Sequence, residues 1–334
     1  MKRPIVFVAC AAVLGTFTFT SLSTEARARR RRRRPRRAKR TFKLMGKFPT
    51  KLKTSSPSFF NHSTRPLVDR GRLLAYGSGI WREEPTFYFI DLKTAKKTSV
   101  TAPVYAYIKA QRRLFPTGLG TGRVAPVKVG HLAAYDKKNK EGYVVVWERR
   151  KDTSGQRRYY LLHWDLGSNR IRAAYSLGTR TSAHRWFSIK PIGYDPASKE
   201  VFLQRVIKLR SPQGKRAYSV SVIAAKGGRG RVVKTFYTQR KLSPGPFYDA
   251  KNKRAFLVEY AEKADATPAP WGYLVDLQKG KVKKLRIPLT SYAVSFSSDG
   301  KWLYVFSAQT GWIWKVNTKS GRRRRRRKVG TLGH

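Results

Sequence analysis

Cysteine is almost absent from this chain of 334 residues: the one cysteine, Cys10, lies in the apolar amino-terminal segment. A small scaffold held by disulfides is therefore excluded, because such scaffolds need several cysteine pairs. Acidic residues are also scarce, with 18 Asp and Glu against 73 Lys and Arg, which leaves a formal net charge of +55. This imbalance predicts an anionic partner, since a protein of such charge attracts polyanions over long distances.

Apolar residues are nevertheless plentiful. Hydrophobic residues make up 40% of the chain and aromatic residues 13%, far more than a disordered chain contains. Most of the chain therefore buries a core, and its length suits one large all-β domain or two ordinary domains.

The amino terminus has the features of a secretory signal peptide. Lys2 and Arg3 form a positive region, an apolar run covers residues 5–15, and Ala26-Arg27-Ala28 offers small residues for cleavage. We predict a signal peptide over residues 1–28 and a secreted or periplasmic protein. An uncleaved segment would instead anchor the protein in a membrane, an alternative that the basic residues after it favour.

Residues 29–60 form a basic, low-complexity arm. Ten Lys and Arg lie between Arg29 and Arg40, and no acidic residue occurs in the whole arm. Because like charges at this density repel one another, we expect the arm to be disordered until an anion neutralises it. It serves either as an electrostatic tether or as a solvated spacer.

From Arg65 onward the chain repeats two units. The first is an apolar triplet, a turn with Asp and a cation, and an apolar strand, which predicts a hairpin. The second is a strand ending near an Asp, followed by a turn and a more polar strand. Copies of the first unit are centred on Asp69, Asp136, Asp195, Asp249 and Asp299. Copies of the second contain Asp91, Asp165 and Asp276, with degenerate versions at residues 218–229 and 312–321.

Together the two units give a module of four antiparallel strands, present about five times. Such modules arranged around an axis make a β-propeller, so we predict an all-β propeller of about five blades over residues 61–334. The last copy, Phe296-Ser297-Ser298-Asp299-Gly300-Lys301-Trp302-Leu303-Tyr304-Val305 with Trp314-Lys315-Val316-Asn317, resembles the WD-like repeat of TolB-type bacterial propellers. This resemblance implies a propeller and a periplasmic or secreted location, but no particular chemistry.

The repeats assign eight of the ten Asp residues to turns, which weakens the case for an enzyme. A carbohydrate-active enzyme would need two carboxyl groups flanking the scissile bond. Glu83 and Glu84 with Glu259 or Glu262 are the candidates for that alternative, although their spacing does not require them to meet. The five His residues lack metal-ligand spacing, and no nucleotide-binding loop is present, so we predict no catalytic residue, metal or cofactor.

Loop length indicates which end of the propeller binds. The connections within the repeat units are short, whereas those between units are long and rich in cations, and binding residues concentrate on such loops. The long set includes residues 104–130, 149–158, 178–187, 208–216 and 261–270. Trp186 and Trp271 lie within or beside these loops and offer stacking surfaces, while Arg180 and Lys208 add to the basic rim.

We therefore predict an exported, non-enzymatic protein that binds a polyanion: an acidic polysaccharide, lipopolysaccharide phosphate or a nucleic acid. A protein scaffold is the further alternative. A second run, residues 322–328, is predicted to lie on the outermost strand of the last blade, where it either protects the edge or binds anions. The predicted polyanion-binding residues are Arg29, Arg30, Arg31, Arg32, Arg33, Arg34, Arg36, Arg37, Arg112, Arg113, Arg149, Arg150, Arg157, Arg158, Arg185, Trp186, Arg210 and Arg216.

Overall fold

The chain is almost entirely β structure in the part that the computed structural model describes, residues 72–77, 84–91, 97–116, 127–149, 156–209, 218–242, 247–259, 271–287, 291–297, 299–307 and 312–328. The predicted signal peptide and basic arm lie outside these residues. The elements are β1 (Arg72–Gly77), β2 (Thr86–Asp91), β3 (Lys97–Thr101), α1 (Val104–Ala110), β4 (Val127–Asp136), β5 (Glu141–Arg149), β6 (Arg157–Asp165), β7 (Arg170–Arg180), β8 (His184–Asp195), β9 (Glu200–Leu209), β10 (Tyr218–Lys226), β11 (Arg229–Thr238), β12 (Phe247–Asp249), β13 (Arg254–Val258), β14 (Trp271–Asp276), β15 (Val282–Arg286), β16 (Ser291–Phe296), β17 (Trp302–Ser307), β18 (Trp312–Asn317) and β19 (Arg323–Lys328).

The strands form five antiparallel sheets that follow one another along the chain. The first contains β1–β3, the second β4–β7, the third β8–β11, the fourth β12–β15 and the fifth β16–β19, with each strand paired to its neighbour in sequence. The predicted repeat of four antiparallel strands is thus confirmed for the second to fifth sheets. Of the copy of the repeat around Asp69, residues 67–71 lie outside the described residues, and its apolar strand is β1 of the first sheet.

The short turns are built by the repeated aspartates. The Asp136 carboxylate accepts hydrogen bonds from the backbone N–H groups of Lys138 (3.0 Å) and Asn139 (3.3 Å) and from the Asn139 side-chain amide (2.7 Å). The same local pattern recurs at Asp165, Asp195, Asp249, Asp276 and Asp299. The prediction that these six aspartates form turns is confirmed, because each satisfies backbone donors two or three residues ahead. The turn after Asp91 lies outside the described residues.

The described residues form four apolar core clusters, each shared by consecutive sheets. One joins the first sheet, α1 and the second sheet; the others join the second to the third, the third to the fourth and the fourth to the fifth. The first strands of adjacent four-stranded sheets, β4, β8, β12 and β16, contact their counterparts in turn. This succession of sheets that cover one another's faces resembles the arrangement of propeller blades, since no sheet buries both faces alone.

Two predicted loops are shorter than expected. Residues 104–130 contain α1, whose Val104 and Ile108 lie one helical turn apart and are completely buried between the first two sheets. Residues 178–187 are mostly strand, because β7 ends at Arg180 and β8 begins at His184. β-Bulges in β6–β7 and β8–β9 pairing insert extra residues and so lengthen these strands.

Candidate anion-binding face

The ends of the second to fifth sheets differ in the connections that they carry. We call the end with the aspartate turns the short-turn end, and the opposite end, where β5–β6, β9–β10, β13–β14 and sheet-to-sheet connections lie, the long-loop end. In the second to fourth sheets, aromatic rings at the long-loop end lie beneath Lys and Arg side chains. These contacts form two clusters.

The first cluster, which we call the Trp147 cluster, belongs to the second sheet and consists of Lys128, Trp147, Arg149, Arg157 and Arg180. The Lys128 Nζ lies 5.6 Å and the Arg157 guanidinium 4.5 Å from the centre of the Trp147 ring. Lys128 and Trp147 are partners in the β4–β5 register. The ring therefore holds two cations by cation–π attraction at the end of the sheet.

Three arginines of this cluster lie side by side across the sheet. Arg149 of β5 pairs in register with Arg157 of β6, which pairs with Arg180 of β7. Like charges directly opposite each other in a sheet destabilise it. In the described part of the chain none of the three forms an ion pair with a carboxylate. The row is thus a concentration of positive charge that the described residues do not neutralise.

Tyr159 lies beneath this row. Its side chain is buried against Phe187 of the third sheet, with ring centres 4.6 Å apart. Burial raises the pKa of the Tyr159 hydroxyl, and the nearby cations Arg157 and Arg180 oppose that rise. Tyr159 therefore stays a neutral phenol at physiological pH and gives the arginines no countercharge.

The second cluster, which we call the Trp271 cluster, lies between the third and fourth sheets. Lys284 and Arg286 of β15 lie 4.2 Å and 5.4 Å from the Trp271 ring centre. Lys241, which follows β11, lies 4.7 Å from the Trp186 ring of β8, and Lys208 of β9 lies 5.2 Å from the Tyr218 ring of β10. The Trp186 and Tyr218 rings meet edge to face, at 6.3 Å and 80°. The cluster consists of Trp186, Lys208, Tyr218, Lys241, Trp271, Lys284 and Arg286.

A buried carboxylate, Glu259, supports the Trp271 cluster from below. It accepts hydrogen bonds from the Trp271 backbone N–H (3.1 Å) and the Tyr273 hydroxyl (2.7 Å), and its own backbone N–H donates to the Trp271 carbonyl (2.9 Å). Burial and the Glu259 carboxylate raise the pKa of Tyr273. Glu259 therefore fixes the start of β14, and its two oxygens are occupied by donors of the protein.

Glu84, another candidate of the enzyme alternative, is also bound to the protein. Its two oxygens accept the backbone N–H groups of Tyr105 and Ala106, each at 2.7 Å, at the start of α1. Glu83 and Glu262 lie outside the described residues. The described contacts therefore give Glu84 and Glu259 structural tasks.

The predicted binding residues are distributed as follows. Arg149, Arg157 and Trp186 fall in the two clusters, while Arg158 is half-buried on β6 and Arg112 and Arg113 are exposed after α1. Arg149, Arg157, Arg158, Arg185 and Trp186 lie on strands rather than loops, because β5, β6 and β8 extend further than expected. The predicted Arg29, Arg30, Arg31, Arg32, Arg33, Arg34, Arg36, Arg37, Arg150, Arg210 and Arg216 lie outside the described residues.

Sequence reasoning missed Lys128, Trp147, Lys241, Lys284 and Arg286. Trp147 ends an apolar run that predicts a buried strand, and nothing local distinguishes it from a core residue. The available signal was strand alternation, which places Trp147 and Arg149 on one side of β5.

No protein-family model and no curated protein matches the chain. Among solved structures, it is similar to the β-propeller domain of the trilobed protease from Pyrococcus furiosus (12% identity, 76% of this chain and 67% of that chain, TM-score 0.38). It is also similar to a putative TolB from Agrobacterium tumefaciens (16% identity, 55% of this chain and 57% of that chain, TM-score 0.29). A third similar structure is the WD40 domain of Toxoplasma gondii coronin (8% identity, 76% of this chain and 67% of that chain, TM-score 0.33). The predicted resemblance to TolB-type and WD-repeat propellers is thus confirmed as a similarity of pattern.

Peptidases are also among the similar structures. The chain covers 36% of an acylaminoacyl peptidase and 35% of a prolyl endopeptidase, at 11% and 14% identity and TM-scores of 0.41 and 0.39. It therefore spans little more than a third of the length of those proteins.

The described residues contain no helix that is long and apolar enough to cross a membrane. They also contain no group of three or more His, Cys, Asp or Glu side chains that could hold a metal ion.

Proposed function

We propose that this protein is an exported, non-enzymatic binding protein that holds a polyanion at its long-loop end. The observation that carries the proposal is the row of Arg149, Arg157 and Arg180, three cations in cross-strand register with no carboxylate partner in the described part of the chain. An anionic ligand would remove their mutual repulsion, so binding and stability are coupled.

The chemistry of the two clusters supports a ligand with phosphate, sulfate or carboxylate groups. Guanidinium groups bind such anions through two parallel hydrogen bonds, which a lysine ammonium does not provide. The Trp147 and Trp271 rings hold their cations at the end of the sheets by cation–π attraction, so the charges meet a ligand in a fixed arrangement. Acidic polysaccharide, lipopolysaccharide phosphate and nucleic acid all present such anionic groups.

The basic arm extends the same proposal. Its ten cations between Arg29 and Arg40 would act as a tether that raises the local concentration of a long polyanion near the propeller. Deleting residues 29–40 should weaken binding and flatten its salt dependence, while the melting temperature stays nearly constant. Unchanged binding at low salt would remove the tether from the proposal.

The deciding experiment measures binding of the mature protein to heparin, duplex DNA, lipopolysaccharide and a neutral glycan over a range of salt concentrations. The test variant combines Arg149→Gln, Arg157→Gln and Arg180→Gln in the chain without residues 29–40. The matched control combines Arg170→Gln, Arg229→Gln and Arg322→Gln, three exposed arginines of the short-turn end. Both variants lose three guanidinium groups, so only the position of the charges differs.

We expect the arginine variant to bind its preferred anion about tenfold or more weakly and the control within about threefold, because exposed cations away from a site contribute little. Equal losses in the two variants would show that the positive charge acts generically and would contradict a site at the long-loop end. Binding to the neutral glycan alone would also contradict the proposal.

A further inference from the structure

The last strand, β19, is an edge strand made only of cations. Its sequence is RRRRRK over Arg323–Lys328. In the described part of the chain it pairs with β18 alone, from Val316 opposite Arg323 to Trp312 opposite Lys328. One side of β19 therefore presents a row of backbone N–H and C=O groups without a strand partner among the described residues.

The charge on β19 is denser than on another outer strand of this protein. Charged side chains on an edge strand, Lys especially, discourage a second strand from adding to it. The outer strand of the third sheet, β11, has three cations among its ten residues and leaves Val232 and Tyr237 50% and 69% exposed. In β19, by contrast, all six positions are basic, and Arg323 and Arg324 are exposed. Arg324 also lies opposite Lys315 in the β18–β19 register, a like-charge pair.

The chain itself offers no complementary strand. Its 18 acidic residues are dispersed, and the longest acidic run is Glu83-Glu84. A second copy of β19 would place cation opposite cation. A partner that opposes β19 at successive positions must therefore be another molecule with several carboxylates in sequence.

We propose that β19 binds an extended, Glu- or Asp-rich segment of another protein by β-strand addition. The partner's backbone would complete the hydrogen bonds of the edge, and its carboxylates would lie opposite guanidinium groups along the whole strand. Opposite charges in cross-strand register stabilise a sheet, so each pair adds to the backbone interaction. A polysaccharide or nucleic acid would neutralise the charges, but it lacks the alternating backbone donors and acceptors that are needed to pair with those of the edge.

The test uses a fluorescent octapeptide with six consecutive Glu residues and a second peptide of the same sequence with alternate backbone nitrogens methylated. Both carry the same charge, but the methylated peptide cannot donate the ladder hydrogen bonds. We expect it to bind at least about tenfold more weakly. Hydrogen exchange should show protection of β19 amides by the unmodified peptide only.

Charge-reversal variants locate the site. Arg324→Glu with Arg326→Glu should abolish binding of the glutamate peptide, whereas Arg229→Glu with Lys234→Glu, an equal change at exposed positions of β11, should leave it within about threefold. Arg324→Gln with Arg326→Gln should give an intermediate loss, and thermal melting of each variant checks that the fold is retained.

Equal binding of the methylated and unmodified peptides would overturn strand addition. Binding of a heparin fragment that protects β19 amides while the peptide does not would likewise overturn it, in favour of a polyanion at this edge. The Arg149→Gln, Arg157→Gln, Arg180→Gln variant should retain the protection of the β19 amides by the peptide, so failure here is distinguishable from failure of the proposed function.

Discussion

The two ends of the sheets differ in whether their charged side chains have partners of opposite charge. At the short-turn end, carboxylates are numerous and each meets donors or cations of the protein. At the long-loop end, the described carboxylates Glu84, Glu148 and Glu259 are capped or buried, and the arginine row meets none of them. The short-turn carboxylates are Asp136, Glu141, Asp165, Asp195, Glu200, Asp249, Asp276 and Asp299.

The short-turn end also joins neighbouring sheets. Asp195 of the third sheet pairs with Lys253 of the fourth, and the Arg254 guanidinium of the fourth donates to the Gly300 carbonyl of the fifth (2.6 Å). The Tyr143 hydroxyl of the second sheet donates to the Lys199 carbonyl of the third (3.3 Å). The short-turn end thus uses its polar groups to hold the sheets together, which leaves the long-loop end available for a ligand.

The largest effect on the short-turn end should come from Gly193→Ala. A Cβ at this position would collide with the ring of Tyr248 on the fourth sheet and would lie 2.7 Å from the Tyr248 Cβ, so ring rotation cannot relieve it. We expect the free energy of unfolding to fall by about 1–3 kcal/mol or more. Urea denaturation checks this.

Gly227→Ala is the control for that substitution. Gly227 has a positive φ of 55°, but a Cβ there would meet nothing within 4 Å. Its cost should be limited to the left-handed backbone conformation, about 1 kcal/mol. If both variants cost the same, the close junction between the third and fourth sheets does not exist in solution.

The next largest effect should come from lowering the pH, which removes a stabilising charge from the short-turn end. Burial alone would raise the pKa of Asp195, but Lys253, the Ser198 hydroxyl and the Ala197 N–H hold it below its ordinary value. A carboxyl whose pKa is lower in the folded than in the unfolded state stabilises the fold above about pH 4. That contribution disappears as the pH falls through the folded pKa.

Asp195→Asn separates this contribution from general acid effects. We expect it to cost about 1–2 kcal/mol at pH 7, since it removes a charged hydrogen-bond acceptor from Lys253. The melting temperatures of the variant and the original protein should converge as the pH falls below about 4. A difference that stays constant over this range would show that ionised Asp195 does not stabilise the sheet junction.

At the long-loop end, removing a charge should instead raise the free energy of unfolding. Arg149→Gln removes one of the three opposed arginines and should stabilise the ligand-free protein by about 0.2–1 kcal/mol at low salt. The gain should vanish at about 1 M salt, where charges are screened within a few ångströms. A loss of stability at low salt would mean that Arg149 has a favourable partner and that repulsion among the three arginines does not destabilise the fold.

Sequence patterns predicted the short-turn end well because its interactions are local. Asp136 and Asn139 are three residues apart, so the turn is visible in any copy of the repeat. The long-loop clusters depend on pairing between distant residues: Lys128 meets Trp147 only because β4 pairs with β5 in a register shifted by bulges, between Val129 and His131 and between Leu132 and Ala134. Such shifts follow from how each sheet packs against the next, which a single sequence does not display.

The smallest expected effect concerns the backbone conformation of the aspartate turns. Lys140 and Lys253 occupy the same place in two aspartate turns, with positive φ values of 57° and 49°. Glycine adopts this conformation without the steric penalty, so Lys140→Gly should stabilise the protein by up to about 1 kcal/mol, reduced by the entropy that glycine adds to the unfolded chain. Lys253→Gly gains the same backbone relief but loses the ion pair with Asp195, so it should be neutral or destabilising.

Thermal melting of the two variants side by side measures how much the ion pair between the third and fourth sheets adds to the stability of the fold. If Lys253→Gly stabilised the protein as much as Lys140→Gly, the Lys253–Asp195 pair would contribute nothing to holding the short-turn end together.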